Sequence, residues 1–237
     1  MILKRFSQAI VNQNWSVVVL EIIVVVVGIF LGLQVDDWNE ARKYRQQESL
    51  YLDKIFDDLT AMRLDLVDSI EGNETRRQRM TAALYTLEAC DSSADAQSDV
   101  KYALEHYQVS PPINYLDATY SEMVASGSLV RLQDQELKQK ISYTYSALED
   151  LNANIRSFRV SMPNVDVIVW RNVSFSVDKD SGRLSATFDI AELCENIEIR
   201  NAFVEMIDIQ RDGKSAAGRA LTQVNDLIAL LDANSKI

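Results

Sequence analysis

Residues 15–39 read WSVVVLEIIVVVVGIFLGLQVDDWN, and the fold class turns on this block. Between Val17 and Leu33 only Glu21 is ionisable, and Gln34 and Val35 extend the apolar run to nineteen residues. At about 1.5 Å per residue such a helix spans roughly 28 Å, close to the ~30 Å hydrocarbon core of a bilayer. A cleaved signal peptide has a shorter apolar stretch followed by a small-residue cleavage site, whereas this run ends in Gln34-Val35-Asp36-Asp37-Trp38. A buried helix of a soluble protein would not use so unbroken a block of Val and Ile, which are poor helix formers in water but acceptable in lipid. The block predicts an uncleaved transmembrane helix at 15–35, with Trp15 and Trp38 suited to the two interfaces. A short tail at 1–14 precedes it, and an extramembrane domain occupies 36–237. In the tail, Ile2, Leu3, Phe6, Ile10 and Val11 fall near one helical face, a pattern suited to lying along a bilayer surface.

Within the span, Gly28 and Gly32 form a GxxxG pair, the spacing that lets two helices approach closely in lipid. Glu21 lies about one turn inside the boundary, where a carboxylate is costly unless it is protonated, snorkels to the headgroups or meets a partner. Glu21, Gly28, Gly32 and Gln34 are therefore the candidate in-membrane contacts. Lys4 and Arg5 flank the span on one side and Arg42, Lys43, Arg45 and Lys54 on the other, so charge alone leaves the orientation open.

Outward from the span the pattern stays helical. Leu50, Leu52, Ile55, Phe56, Leu59, Met62, Leu66 and Ile70 recur mostly at three- and four-residue spacing with no proline, predicting one helix that leaves the bilayer and ends near Gly72-Asn73. A second helix is expected over Glu74 to Cys90, a loop over Asp91 to Ser98, and a third helix from Asp99 to Gln108 that stops before Pro111-Pro112. A short helix follows at Asp117 to Ala125, with Gly127 as a left-handed cap. From Asp134, the residues Leu137, Ile141, Tyr145, Leu148, Leu151, Ile155 and Phe158 form one apolar stripe ending before Pro163. Val173-Phe175-Val177 and Leu184-Ala186-Phe188-Ile190 alternate around a polar turn and predict a β-hairpin. Ile199 to Asp232 is helical again, with a break expected at Gly213 and Gly218. The fold class is mainly α: one N-terminal transmembrane helix continuing into an elongated helical bundle, with a small hairpin near 173–190.

The 237 residues carry 24 Lys+Arg against 35 Asp+Glu, a formal charge of −11, which argues against a nucleic-acid surface. With one histidine and two cysteines, little material exists for a metal site or a histidine-based triad. Gly213-Lys214-Ser215 superficially suggests a phosphate loop, but Asp208 stands where its first glycine belongs and a helical pattern precedes it. His106 directly follows Glu105, a spacing of no metal motif, and reads as a helix-surface residue. No catalytic, cofactor or metal residues are assigned, and no enzyme activity is expected. Cys90 and Cys194 could pair if the domain lies outside the cytoplasm, while buried free thiols fit the sequence equally well.

From 18 to 43 the text VVLEIIVVVVGIFLGLQVDDWNEARK resembles the opening of an uncharacterised bacterial family of small membrane-anchored proteins, a domain of unknown function. Residues 118–145, ATYSEMVASGSLVRLQDQELKQKISYTY, are similar to that family's second motif through Thr119, Tyr120, Glu122, Met123, Ser126 and Gly127. The resemblance implies an inner-membrane anchor with a cytoplasmic N-terminus and a periplasmic domain, and it implies no activity. It also draws attention to Asp36, Asp37, Trp38 and Asn39 and to Tyr120, Glu122, Ser126 and Gly127 as recognition or structural positions. The expected function is non-enzymatic protein–protein assembly, as a homo-oligomeric scaffold or an accessory subunit of a membrane complex. The alternative is an extracytoplasmic ligand-sensing bundle; with about sixteen residues ahead of the span, it would have to signal through a partner.

Overall fold

The computed structural model describes residues 15–109, 113–160, 163–180 and 182–234; the expected interfacial tail at 1–14 lies outside them, as do the side chains of Glu21 and Phe158. The described residues are mainly helical and form eight helices and one two-stranded hairpin. In chain order these are α1 (Trp15–Ala89), α2 (Ala94–His106), α3 (Ala118–Ala125), α4 (Ser128–Arg131), α5 (Gln135–Val160) and α6 (Pro163–Asn172). Strands β1 (Ser174–Val177) and β2 (Leu184–Thr187) follow, then α7 (Ile190–Glu195) and α8 (Ile197–Asn234). Two compact units divide between Tyr51 and Leu52.

The first unit is the N-terminal part of α1, long and apolar enough to cross a membrane by length and composition. Its large apolar side chains from Leu20 to Val35 are all exposed, Phe30 at 61% and Val35 at 62%. A water-soluble helix ordinarily buries one apolar stripe, and no side chain described between Leu20 and Val35 is buried.

The second unit is built on long helices with a common repeat. On α1, Ile55, Leu59, Met62, Leu66, Ser69, Asn73, Arg76, Met80, Ala83 and Leu87 are all buried and alternate steps of four and three. On α8, Ile199, Phe203, Met206, Gln210, Gly213, Ala217, Ala220, Val224, Leu227 and Leu231 follow the same alternation, every one buried except the half-buried Gly213. A mean spacing of 3.5 is the seam of coiled-coil packing. Arg76 bonds Gln210, Glu74 bonds Lys214, and Gly213 lies against Asn73, so α1 and α8 run antiparallel. In that register Met80, Ala83 and Leu87 fall opposite Met206, Phe203 and Ile199, and all six belong to one buried cluster. Helix α5 also packs antiparallel to α8, with Lys140 on Gln223 and Asp226 and, at the far end, Asn234 on Asp134.

Two expected breaks are absent. Helix α1 continues through Gly72-Asn73, because Asn73 is a seam position: its amide reaches Ser69 Oγ at 3.4 Å and accepts from Arg76 at 2.9 Å. Helix α8 likewise runs unbroken through Gly213 and Gly218. A Cβ at Gly213 would stand 3.3 Å from Asn73 Nδ2, so this glycine serves close helix approach rather than a turn. Three short helices also stand where the sequence showed none, the first being the single turn α4 after Gly127. Helix α6 starts with Pro163 at a first-turn position, where a missing N–H costs nothing. Helix α7 begins at Ile190, which the alternating pattern places in a strand, because Asp189 Oδ1 accepts from Ala191 N at 2.8 Å and caps it. The loop expected at 91–98 is shorter, since Ser93 caps α2 and the helix begins at Ala94.

The other elements follow their local signals. Asp134 caps α5 through bonds from Glu136 N and Leu137 N, at 2.9 and 3.0 Å. The hairpin is antiparallel with Phe175 opposite Ala186, and it rests on α2, where Ala186 N donates to Glu105 Oε1 at 3.0 Å. A disulfide joins Cys90, just past α1, to Cys194 on α7. Cys90 closes α1 in the left-handed conformation with φ 49°, where Asp91 N bonds Thr86 O at 3.1 Å and Cys90 N bonds Leu87 O at 3.4 Å. That is the Schellman arrangement, normally a glycine's place, and a side chain there costs about 1–2 kcal/mol.

The two α8 glycines separate in a stability experiment. Nothing lies within 4 Å of a Cβ placed at Gly218, so Gly218→Ala should stabilise by about 1 kcal/mol from helix propensity. Gly213→Ala should gain nothing, since the added methyl meets an amide tied to Arg76 and Ser69. Thermal unfolding of the full chain, followed by its helical signal, compares them.

Candidate functional site

Midway along the α1–α8 seam the apolar layers give way to a polar one. Arg76 is 8% exposed and Gln210 only 1%. Arg76 Nε donates to Gln210 Oε1 and an Arg76 Nη donates to Asn73 Oδ1, both at 2.9 Å. Burial lowers the guanidinium's pKa, as desolvation does for any cation, yet arginine's starting value keeps it protonated. No ion pair among the described residues includes Arg76. Glu74, two residues away, is committed outward: it accepts from Arg77 at 2.7 and 3.0 Å, Lys214 at 3.0 Å and Gln78 at 2.8 Å. Those bonds, led by Arg77, hold its carboxyl far below the usual range.

This layer opens onto a cavity of about 450 Å³ bounded by α1, α5 and α8. Asn73 and Gln210 form part of its wall, and Leu151, Ile155 and Ile209 supply apolar surface. Asn154, Ser215 and Arg219 also border it, with Arg219 Nη1 bonded to Ser215 Oγ at 2.9 Å. None of these stands out in the sequence as a binding position. The one signal available is polar: Asn73, Arg76 and Gln210 sit at the seam spacing where apolar residues belong.

The residues singled out from sequence fall elsewhere. Gly28 and Gly32 have nothing within 4 Å of a Cβ, and Gln34, Asp36, Asp37, Trp38 and Asn39 are all exposed. They share the helix of the first unit but form no enclosed site. Tyr120 is part of an internal dock: its ring stacks on Tyr145 with centroids 4.4 Å apart, while neighbouring Thr119 Oγ1 donates to Asp58 Oδ2 at 2.6 Å. Asn114 N and Asp65 Oδ2, 3.2 Å apart, fasten the same segment to α1. Ser126 ends α3 with its N–H on Glu122 O at 2.9 Å and its hydroxyl 2.8 Å from that of Ser128. Gly127 then turns the chain into α4 with φ 72°, a left-handed position that favours glycine. Glu122 is exposed on α3. The segment thus holds α3 and α4 to the bundle.

Cys90 and Cys194 are disulfide-bonded. Among the described residues no three His, Cys, Asp or Glu side chains gather as a metal site. His106 closes α2 with Nδ1 2.9 Å from Tyr102 O and its ring stacked on Tyr102, and residues 208–215 lie inside α8 rather than in a phosphate loop. No known protein family, curated protein or solved structure matches the chain.

Beside the Tyr120 dock, the buried Tyr145 hydroxyl has no partner among the described residues. Burial raises the pKa of Tyr145 and of Tyr107, and it pushes Tyr115 up to about 12, with Asp117 adding to the last. These phenols stay neutral in the fold after their unfolded counterparts ionise near the ordinary value of 10. Their contribution is therefore present below pH 10 and is lost as pH rises through that value towards 12. Denaturant midpoints measured from about pH 9 to 12 should fall across this window, and Tyr115→Phe should flatten the fall.

Proposed function

We propose that this is a non-enzymatic, membrane-anchored assembly protein, a homo-oligomeric scaffold or an accessory subunit of a membrane complex. The observation that carries the reading is the first unit's helix: apolar throughout 22–33, exposed on all sides, and notched by Gly28 and Gly32 with open space over both. In lipid, where apolar burial offers no drive, close approach at small residues supplies the van der Waals contact that pairs helices. Replacing both glycines with leucine should leave insertion intact and shift the native mass in mild detergent from an oligomer or complex to a monomer. An unchanged mass would overturn the reading.

We place the N-terminus in the cytoplasm and the helical unit in the periplasm, with the inner membrane as the bilayer. The Cys90–Cys194 bond supports this, because structural disulfides persist in oxidising compartments. Trapping thiols by alkylation in intact cells should give a faster-migrating, cross-linked form on a non-reducing gel. A fully alkylated, open form would instead put the unit in the cytoplasm.

A second reading, ligand sensing through a partner, is favoured by the cavity beside Arg76, which offers converging polar groups and an apolar wall.

A further inference from the structure

Arg76 is a fixed cation placed inside the bundle with two carbonyl oxygens and, among the described residues, no carboxylate. A buried charge without a counter-ion is costly, and proteins ordinarily supply one. Because a guanidinium has only donors, both amides must turn their oxygens towards it. What remains is the Gln210 NH2 group and one N–H of Asn73, whose other N–H is on Ser69 Oγ at 3.4 Å, and both residues line the cavity. The wall therefore includes two amides whose oxygens are turned to Arg76, a cation with no counter-ion among the described residues. At the border Arg219 adds a second cation, bonded to the neutral Ser215 hydroxyl. Asp212, the one carboxylate of the lining, is exposed and already engaged by Arg211. The remaining surface at Leu151, Ile155 and Ile209 is apolar, and about 450 Å³ matches the volume of small-molecule sites.

We propose that this cavity binds a small, water-soluble amphiphilic carboxylate, its anionic head against the Asn73 and Gln210 amides and its apolar body against Leu151, Ile155 and Ile209. The head supplies the negative charge that Arg76 lacks. Arg76 acts as a positioning residue: it orients both amides and sets the sign of the field. The site gives the sensing reading its ligand class and is independent of the assembly reading, because binding here does not involve Gly28 or Gly32. Binding with no downstream response would remove the sensing role and leave the site intact.

The experiment titrates full-length protein in zwitterionic-lipid nanodiscs with 4-phenylbutyrate and, separately, with its neutral isostere 4-phenylbutyramide. Calorimetry should show the acid binding about tenfold or more tightly than the amide, the ratio that ~1.4 kcal/mol of charge recognition gives. Gln210→Glu places a carboxylate beside Arg76 from within. It should hold or raise the melting temperature while weakening the acid at least about tenfold, a combination that mere damage to the fold would not produce. Arg219→Gln, an exposed change, should weaken the acid several-fold and leave the amide unaffected, and it carries the test if the Gln210→Glu variant does not fold. Equal affinity for acid and amide, no binding of either at millimolar concentration, or acid affinity unchanged in both variants would overturn the proposal.

Discussion

A guanidinium removed from water has to find acceptors for its donors, and the second unit is organised around that requirement. Arg76 meets Asn73 from its own helix and Gln210 from α8, and Gly213 lets the two backbones close at the same level. Apolar seam layers on either side are interchangeable by a heptad shift, since aliphatic side chains pack without directional demands. The polar layer is not: sliding α8 by one heptad would leave Arg76 facing an apolar residue, with its bond to Gln210 lost and only Asn73 of its own helix left to accept. The layer therefore sets the α1–α8 register, as single polar residues do in coiled-coil seams. The buried cluster of Met80, Ala83, Leu87, Phe203 and Met206 and the antiparallel docking of α5 inherit it.

The same layer accounts for what sequence reading misses. Apolar periodicity locates the α1, α5 and α8 stripes because buried aliphatic residues repeat at helical spacing. It stops at Gly72-Asn73 because the seam turns polar there, and a polar run after a glycine resembles a helix end. Only the distant partner Gln210, 134 residues on, keeps those positions inside. Gly213 and Gly218 look like breakers for the same reason, since close approach by another helix leaves no mark in the local sequence. Helix α6 is ten residues long and its stripe is confined to Val165, Ile168 and Val169, too short to stand out, while α7 is set by the Asp189 cap.

For the candidate site the asymmetry is sharper. Apart from the Cys90–Cys194 pair, the positions singled out in the sequence lie on the exposed first unit or in the Tyr120 dock, where local signals, apolar length and a turn glycine, are strong. The cavity draws on three helices, and its chemistry depends on which atom of an amide faces which neighbour. That information resides in pairings across the bundle. Asn73, Arg76 and Gln210 become a constellation only once the helices are laid side by side.

The placement of the disulfide bears on how the chain is made. Cys90 and Cys194 are 104 residues apart, with the whole of α5 and the hairpin between them. At about 5–20 residues per second of synthesis, the first thiol waits roughly 5–20 seconds before its partner exists. During that interval the left-handed turn at the end of α1 has no covalent support, and the thiol is available to any other oxidisable sulfur. The bundle must therefore gather α7 to the end of α1 by packing alone, with the cross-link as a seal on an arrangement already reached. An external oxidant acting too early would trap strangers, so for this chain the timing of oxidation matters as much as its occurrence.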